Sequence, residues 1–244
     1  MNDEEDSDNY EWENPRKYLE FIQELFQAEE SNSGIAVVYP ILDRGKHLLN
    51  NRFAEILQQG AANLIAEHPE ATIDVVAIIE NLSIHISNFP RGNRENNIEI
   101  AIAGYQIVLN HWEPGSEDWA QTQNNLATAY LYRIRGERAK NIEQAIECYT
   151  AALTVYTRDA FPEDWATTQN NLANAYSDRI RGERADNLEQ AIECLTAALT
   201  VYIRDAFPED WAMTQNNLAA AYLYRIRGER ADNLEQAIEC LTAA

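Results

Sequence analysis

The stretch that decides the fold is residues 165–210, which read WATTQNNLANAYSDRIRGERADNLEQAIECLTAALTVYIRDAFPED. It is identical to residues 119–164 at 38 of 46 positions, and residues 211–244 match its first 34 positions at 30. The tryptophans Trp119, Trp165 and Trp211 therefore recur every 46 residues. Self-similarity at this period predicts stacked helical units, each packed on the next, instead of one globular core.

A weaker copy precedes these three. Asn81-Leu82 aligns with Asn125-Leu126, and Arg91-Gly92 aligns with Arg135-Gly136, both at an offset of 44 residues. Upstream of it, helices are predicted at Arg16–Ala28, Tyr39–Asn50 and Asn51–Glu67. The sequence thus divides into a disordered acidic tail (1–15), an N-terminal helical cap (16–72), a degenerate repeat (73–118), repeat 1 (119–164), repeat 2 (165–210) and a truncated repeat 3 (211–244).

Each unit is predicted to hold two helices. In repeat 2 the first begins at Phe161-Pro162, since proline fits the first turn, and it ends near Gly182, which permits a left-handed helix stop. The second begins at Asn187, an N-cap with Gln190 as its capping-box partner. Its apolar residues follow helical spacing: Leu188, Ala191, Ile192, Leu195, Ala198, Leu199 and Tyr202. No segment alternates with period two, so the predicted fold class is all-α, an α-α superhelix of helix-turn-helix repeats.

The repeats resemble the tetratricopeptide signature, on the strength of Leu172-Ala173-x-x-Tyr176 in the first helix and Ala191 and Leu195 in the second. The Asn-Asn-Leu-Ala run is similar to the longer kinesin-light-chain type of repeat. The phrases DWATTQNNLANAY, RIRGERADNLEQAI and LTVYIRDAFPEDWA resemble the repeat arms of cyanobacterial proteins that carry a caspase-like CHAT domain. This resemblance implies a helical solenoid that binds a protein partner in a concave groove.

Differences between the repeats predict which face binds the partner. At about 100° per residue, Trp165, Thr168, Leu172 and Tyr176 share one side of the first helix, which we expect to pack. Repeats 2 and 3 differ only on the opposite side. The predicted groove residues are Asn124, Thr128, Leu131, Tyr132, Asn170, Asn174, Ser177, Asp178, Asn216, Ala220, Leu223 and Tyr224.

Asn124, Asn170 and Asn216 are the constant members of this set, and two interpretations of them stay open. A ladder of side-chain amides offers donors and acceptors that could bind an extended peptide backbone. Alternatively, the amides bond to adjacent helices. For the neighbouring Asn125, Asn171 and Asn217, the second interpretation is preferred.

Catalytic and cofactor sites are not indicated. Cys148, Cys194 and Cys240 occupy one repeated position, and equivalent atoms of adjacent repeats should lie too far apart for a disulfide. The four histidines lack metal-ligand spacing, and no phosphate loop or nucleophile elbow is present. The His and Cys of a caspase-like site would belong to a domain that these repeats do not contain. The sequence therefore predicts no enzyme, no cofactor and no metal.

The arginine-rich run Arg-Ile-Arg-Gly-Glu-Arg, found at 133–138, 179–184 and 225–230, permits two interpretations. A row of arginines could bind acidic segments or phosphates. The preferred alternative is that Glu137, Asp186 and their equivalents pair with them.

Charge and hydropathy restrict the partners. The chain has 40 acidic and 19 basic residues, a net charge of −21, which repels nucleic acid and anionic membrane surfaces. No signal pattern or membrane-length apolar run is present, so a cytoplasmic location is expected.

The sequence therefore predicts a non-catalytic module that binds a protein or peptide, the recognition arm of a larger signalling or caspase-like protein. The alternative is a structural or oligomerisation solenoid with no groove ligand. The second helices of the earlier repeats are predicted to have about 20 residues, and the last helix is expected to be shorter than these. Trp211, Leu218 and Leu234 would then lack a neighbour, and the chain would self-associate or fray at this end.

Overall fold

A computed structural model of the chain describes residues 14–31 and 34–244. Every regular element in these two ranges is helical, which confirms the all-α class. The chain divides into two compact units, Met1–Glu113 and Pro114–Ala244. The predicted acidic tail lies almost wholly outside the described residues, and its last two positions already belong to a helix start, since Asn14 caps a helix that opens at Pro15.

The described residues of the first unit form five α-helices and two short 3-10 turns. The turns are Lys46–Leu48 and Pro69–Ala71. The helices are α1 (Pro15–Glu30), α2 (Ile35–Arg44), α3 (Asn51–Glu67), α4 (Thr72–Asn88) and α5 (Arg94–Leu109). The predictions for α1 and α3 are confirmed, whereas the predicted helix Tyr39–Asn50 is wrong at both ends. It begins four residues earlier and breaks after Arg44, where Gly45 starts a 3-10 turn.

Aromatic packing explains this break. A Cβ at Gly45 would lie 2.3 Å from the ring of Phe21, so no larger residue fits beside α1. The Phe21 ring in turn meets Phe53 edge to face, with centroids 5.9 Å apart. Asn50 caps α3 by accepting from the amide of Arg52, and its Nδ2 donates to the Tyr18 hydroxyl at 2.9 Å.

The second unit consists of three helix pairs, one for each repeat. They are α6 (Glu117–Leu131) with α7 (Arg138–Ala152), α8 (Pro162–Asp178) with α9 (Arg184–Ala198), and α10 (Pro208–Tyr224) with α11 (Arg230–Ala243). Each second helix packs against its own first helix, and α7 and α9 also pack against the first helix of the following repeat. The stack therefore has the repeat-on-repeat architecture that the period predicts.

Helix lengths correct the expectation about the last helix. The second helices α7 and α9 each have 15 residues, not about 20, and α11 has 14. Leu199 and Tyr202, predicted to continue α9, lie beyond its end, where the chain makes a tight turn that still buries Tyr202.

The prediction for the start of α8 is confirmed, with Pro162 as its first residue and Glu163 and Asp164 in the first turn. The predicted stop near Gly182 and the predicted start at Asn187 are wrong. The first helix ends at Asp178 and the second begins at Arg184.

Asn187 explains this different boundary. It is 3% exposed inside α9, and its Nδ2 donates to the carbonyls of Arg179 at 3.4 Å and Arg181 at 2.9 Å. The asparagine therefore holds the end of the preceding helix and the turn, instead of capping its own helix. Gly182 lies within that turn at φ +77°, where a side chain would be strained.

We call a buried asparagine that donates to two carbonyls of the preceding turn the anchor of that turn. The same anchor recurs in the other helix pairs. Asn97, Asn141 and Asn233 are each at most 2% exposed, and each donates to two turn carbonyls in the same way. The pair α4–α5, predicted as a degenerate repeat, thus carries the anchor too, although it belongs to the first compact unit. The exact domain boundaries stay predictions.

Candidate partner-binding surface

An exposed band runs across the first helices of the three repeats. We call it the stripe, and it is defined by Gln121, Thr128, Tyr132, Thr167, Asn174, Asp178, Met213, Ala220 and Tyr224. Its large apolar members are well exposed: Tyr132 by 58%, Met213 by 47% and Tyr224 by 69%. The stripe includes the variable positions that the sequence comparison selected, except Leu131, Ser177 and Leu223.

Those three residues occupy one repeat position that does not lie on the stripe. Leu131 is 4% exposed, Ser177 is half-buried and Leu223 is 37% exposed. Exposure at this position is greatest in repeat 3. The assignment of Leu131 to an open groove is therefore wrong, because interior packing already covers it.

Two of the three repeated asparagines, Asn124 and Asn170, bond between repeats. The Oδ1 of Asn124 accepts from the Thr168 hydroxyl at 3.2 Å. Asn170 is 3% exposed, and its Oδ1 accepts from the Asn217 amide at 3.2 Å. Both bonds join the first helices of consecutive repeats. They favour the interpretation in which these amides bond to adjacent helices. Asn216, in the last repeat, is exposed.

Thr128 shows why one stripe position varies. Its hydroxyl hydrogen-bonds the hydroxyl of Tyr149 at 2.8 Å, and Tyr149 is fully buried in α7. Repeats 2 and 3 carry leucine in place of Tyr149, and there Thr128 is replaced by Asn174 and Ala220. The residue at the Thr128 position thus varies together with its packing partner at the Tyr149 position. The sequence analysis attributed this variation to the groove alone.

A charged clamp between repeats was missed from the sequence. The guanidinium of Arg179 donates to both oxygens of Glu143, at 2.9 and 2.8 Å. Arg225 repeats this with Glu189, at 2.8 Å for both bonds. Each pair joins a second helix to the end of the next first helix. Identical Arg and Glu in every copy were the signal for it, since bidentate pairs need fixed geometry.

The clamp changes the acidity of its carboxylates. Hydrogen bonding from Arg179 holds the pKa of Glu143 below its ordinary value, and Arg225 does the same for Glu189. The side chains are only partly shielded, with Arg179 29% and Glu143 19% exposed. The clamp is therefore a moderate, pH-dependent contribution to the contact between repeats.

This dependence has a definite sign. A carboxylate whose pKa is lowered by folding stabilises the fold above its unfolded pKa, about 4.3 for Glu, and that stabilisation is lost as pH falls through the folded pKa. We expect the free energy of unfolding to decline on acidification less steeply in the double variant Glu143→Gln, Glu189→Gln than in the parent. Urea titrations from about pH 6 to about pH 3 measure this. Glu147→Gln, an exposed carboxylate of α7, should leave the decline unchanged, and an equal decline in the double variant would contradict the clamp.

Several other arginines of the repeated run also have partners within the chain. Arg227 pairs with Asp186, as the preferred alternative predicted. Glu137 instead pairs with Lys140. The third arginine of each run donates to a carbonyl at the end of its own first helix: Arg138 to Leu131, Arg184 to Ser177 and Arg230 to Leu223. These contacts favour a structural role for the run.

The cysteines occupy packing positions. All three are free thiols, and burial raises the pKa of Cys148 and Cys194 to about 12. Burial raises the pKa of Cys240 as well. A thiol that resists ionisation is a poor nucleophile, so the chemistry of this position is that of a small apolar residue.

Residues 14–31 and 34–244 contain no group of three or more His, Cys, Asp or Glu side chains arranged to hold a metal ion. Within the same described ranges, no helix combines the length and the apolar character needed to cross a bilayer.

The family model described as a tetratricopeptide repeat matches residues 119–153 and 165–199. These ranges contain most of α6–α7 and α8–α9, the pairs that carry the anchor asparagines. Together with the stacked helix pairs, the match supports tetratricopeptide-type repeats in these two ranges, within an all-α helical repeat fold. A search of curated proteins finds no match.

Proposed function

We propose that the chain is a non-catalytic interaction module that binds a protein or peptide along the stripe. Tetratricopeptide repeats generally mediate protein–protein interaction, and their fold is typically non-catalytic. The observation that carries the proposal is the exposure of Tyr132 and Tyr224, which occupy equivalent positions at the C-terminal ends of α6 and α10. Tyrosine is favoured at binding hot spots because it buries a large ring and still offers a hydroxyl.

The chemistry of the stripe indicates the kind of partner. Two tyrosines and Met213 provide apolar contact area, while Asn174 and Asp178 between them are polar. Asp178 already accepts from Arg138 at 2.8 Å, so its charge is partly satisfied within the chain. The stripe therefore suits an extended or helical segment with two apolar side chains flanking a polar centre. With a net charge of −21 on the chain, nucleic acid remains an unfavourable partner in this proposal.

The variant Tyr132→Ala, Tyr224→Ala tests this function. We expect it to reduce partner capture by at least about tenfold, because each exposed hot-spot ring contributes about 1–3 kcal/mol to binding. Helicity and melting should be unchanged, since both rings are exposed. The measurement is quantitative capture of a fixed set of partners by parent and variant chains immobilised at equal density.

The chain offers a closely matched control. Ile134 and Ile226 follow the two tyrosines by two residues and are exposed by 59% and 61%. The variant Ile134→Ala, Ile226→Ala removes comparable exposed apolar surface from the same chain regions but leaves the stripe intact. If both double variants capture the same partners as the parent, the stripe is not the binding surface. If only the isoleucine variant loses them, the turns bind instead.

Larger roles also belong to this proposal. The resemblance of the repeat phrases to the arms of CHAT-domain proteins supports a recognition arm in a signalling or caspase-like assembly, working inside the cell. The competing function is an oligomerisation solenoid whose stripe stays empty. It is favoured by one specific observation, the exposure of Ile238 and Leu241 on α11 by 62% and 52%, and sedimentation at several concentrations tests it directly.

A further inference from the structure

An arginine opens the second helix of each repeat: Arg138 in α7, Arg184 in α9 and Arg230 in α11. The Nη1 of Arg138 donates to the Leu131 carbonyl of its own repeat. Its Nη2 donates to the Asp178 carboxylate, a stripe residue of the following repeat, at 2.8 Å. One side chain thus binds the end of its own first helix and reaches the stripe in the next repeat.

Arg184 has the same arrangement with a different residue opposite it. Its Nη1 donates to the Ser177 carbonyl, so its guanidinium is oriented as that of Arg138 is. The equivalent stripe residue of the following repeat is Tyr224, which carries no charge to pair with a guanidinium. Within residues 14–31 and 34–244, the Ser177 carbonyl is the only hydrogen-bond or ion-pair partner of Arg184. Arg184 is therefore an exposed, oriented cation that the described residues do not pair with a carboxylate.

The exposure of Tyr224 is a property of its position in the repeat. Tyr132, the equivalent residue of repeat 1, is 58% exposed although repeat 2 follows it, and Tyr224 is 69% exposed. The other side of α10 is packed, contrary to the expectation that Trp211 and Leu218 lack a neighbour. Leu218 is 6% exposed in a cluster with residues of the preceding repeat, and Trp211 is half-buried. Of the three residues expected to lack a neighbour, only Leu234 is exposed.

The comparison between repeats indicates which group Arg184 would bind. In repeat 2 the equivalent arginine binds a carboxylate, and guanidinium–carboxylate hydrogen bonds are stronger than those to neutral acceptors. Because the Ser177 carbonyl already orients Arg184, less side-chain freedom is lost when a ligand binds. The net charge of −21 repels acidic partners, but physiological salt screens this repulsion beyond about 8 Å. A segment with a single carboxylate is therefore favoured over a run of acidic residues.

We propose that the partner segment on the stripe carries one aspartate or glutamate whose carboxylate binds Arg184, while a neighbouring apolar side chain packs on the Tyr224 ring. This inference rests on the proposed function of the stripe and specifies the partner. The bound carboxylate lies where the Asp178 carboxylate lies beside Arg138. In repeat 2 the chain supplies that carboxylate itself, whereas in repeat 3 the partner supplies it. The repeat 3 end of the stripe thus selects an apolar residue with an acidic neighbour.

Peptide selection tests this contact. The probe is a phage-displayed library of random dodecapeptides, selected on the immobilised 244-residue chain. We expect the recovered peptides to contain aspartate or glutamate, and the amide variant of each peptide to bind about tenfold more weakly in fluorescence anisotropy. Arg184→Ala in the chain should weaken the unchanged peptide equally, and both changes together should cost little more than either alone. Selection on the Arg184→Glu chain should instead recover peptides with lysine or arginine.

Arg138→Ala is the matched control, because Arg138 makes the same carbonyl contact but is already paired with Asp178. In this variant the dependence on the peptide carboxylate should remain. The amide variants of the peptides are measured on the parent chain, so that comparison does not require a chain variant to stay folded. Peptides that lose binding to Tyr132→Ala, Tyr224→Ala but depend neither on Arg184 nor on a carboxylate overturn this inference and leave the stripe as the binding surface. Recovery of no peptide, or only of peptides that bind the double tyrosine variant as well as the parent, overturns both proposals.

Discussion

Replacing Leu195 by alanine is expected to lower the free energy of unfolding by about 2–5 kcal/mol, whereas the same change at Leu241 should cost less than about 1 kcal/mol. The two leucines occupy the same position of consecutive repeats, in identical helices. Leu195 is 1% exposed beneath α10, and its loss leaves a cavity between two repeats. Leu241 is 52% exposed, so its side chain can be removed into solvent without leaving a void.

Urea unfolding of both variants, followed by circular dichroism, measures the difference. The slope of each transition should be compared as well, because repeat stacks can lose cooperativity when one interface is weakened. Equal losses for Leu195→Ala and Leu241→Ala would mean that α11 is as well covered as α9. That result would contradict the difference in burial between Leu195 and Leu241.

Asn187→Ala is expected to destabilise the chain by about 1–3 kcal/mol, although it removes only one small polar group. The Nδ2 of this asparagine donates to two turn carbonyls, and its side chain is buried. Alanine cannot replace either bond, so the carbonyls of Arg179 and Arg181 would lose their partner. The Oδ1 of Asn187 also accepts from the Arg179 guanidinium at 3.5 Å, and alanine removes this contact as well.

The control for this change is Asn216→Ala, which removes the same group from an exposed position of α10 and should alter stability by less than about 0.5 kcal/mol. Urea unfolding of the two variants gives the comparison, and hydrogen exchange locates the effect. Faster exchange should be confined to the turn 179–183 and the ends of α8 and α9. A loss as small as that of the control would show that the turn does not depend on its anchor.

The period of the repeat and the start of α8 could be predicted because they rest on local chemistry. Proline at the first position of α8, followed by two acids, fits only a helix start. The end of that helix could not be placed from the same signals. Gly182 suggested a glycine stop, but a residue five positions later reaches back and binds the carbonyls. A contact of this kind competes with local capping and becomes visible only when both helices are in place.

The candidate surface was predicted in part for a similar reason. Rotation by about 100° per residue separates the packed side of a helix from the opposite side, but it does not separate solvent from a neighbouring repeat. Tyr132 and Tyr224 proved to be exposed, whereas Leu131 and Asn170 lie against other helices. The clamps were not foreseen, because a Glu and an Arg 36 residues apart carry no local signal. Their identity in every copy was the only indication.

The most direct test of the central claim, that the stripe binds a protein partner, is site-specific photocrosslinking. A photoreactive phenylalanine derivative would replace Tyr132 or Tyr224 on the stripe, and Ile134 or Ile226 on the adjacent turns in matched chains. We expect the same partner to be crosslinked from positions 132 and 224 and not from positions 134 and 226. Crosslinking of that partner from the turn positions, with none from the stripe, would contradict it.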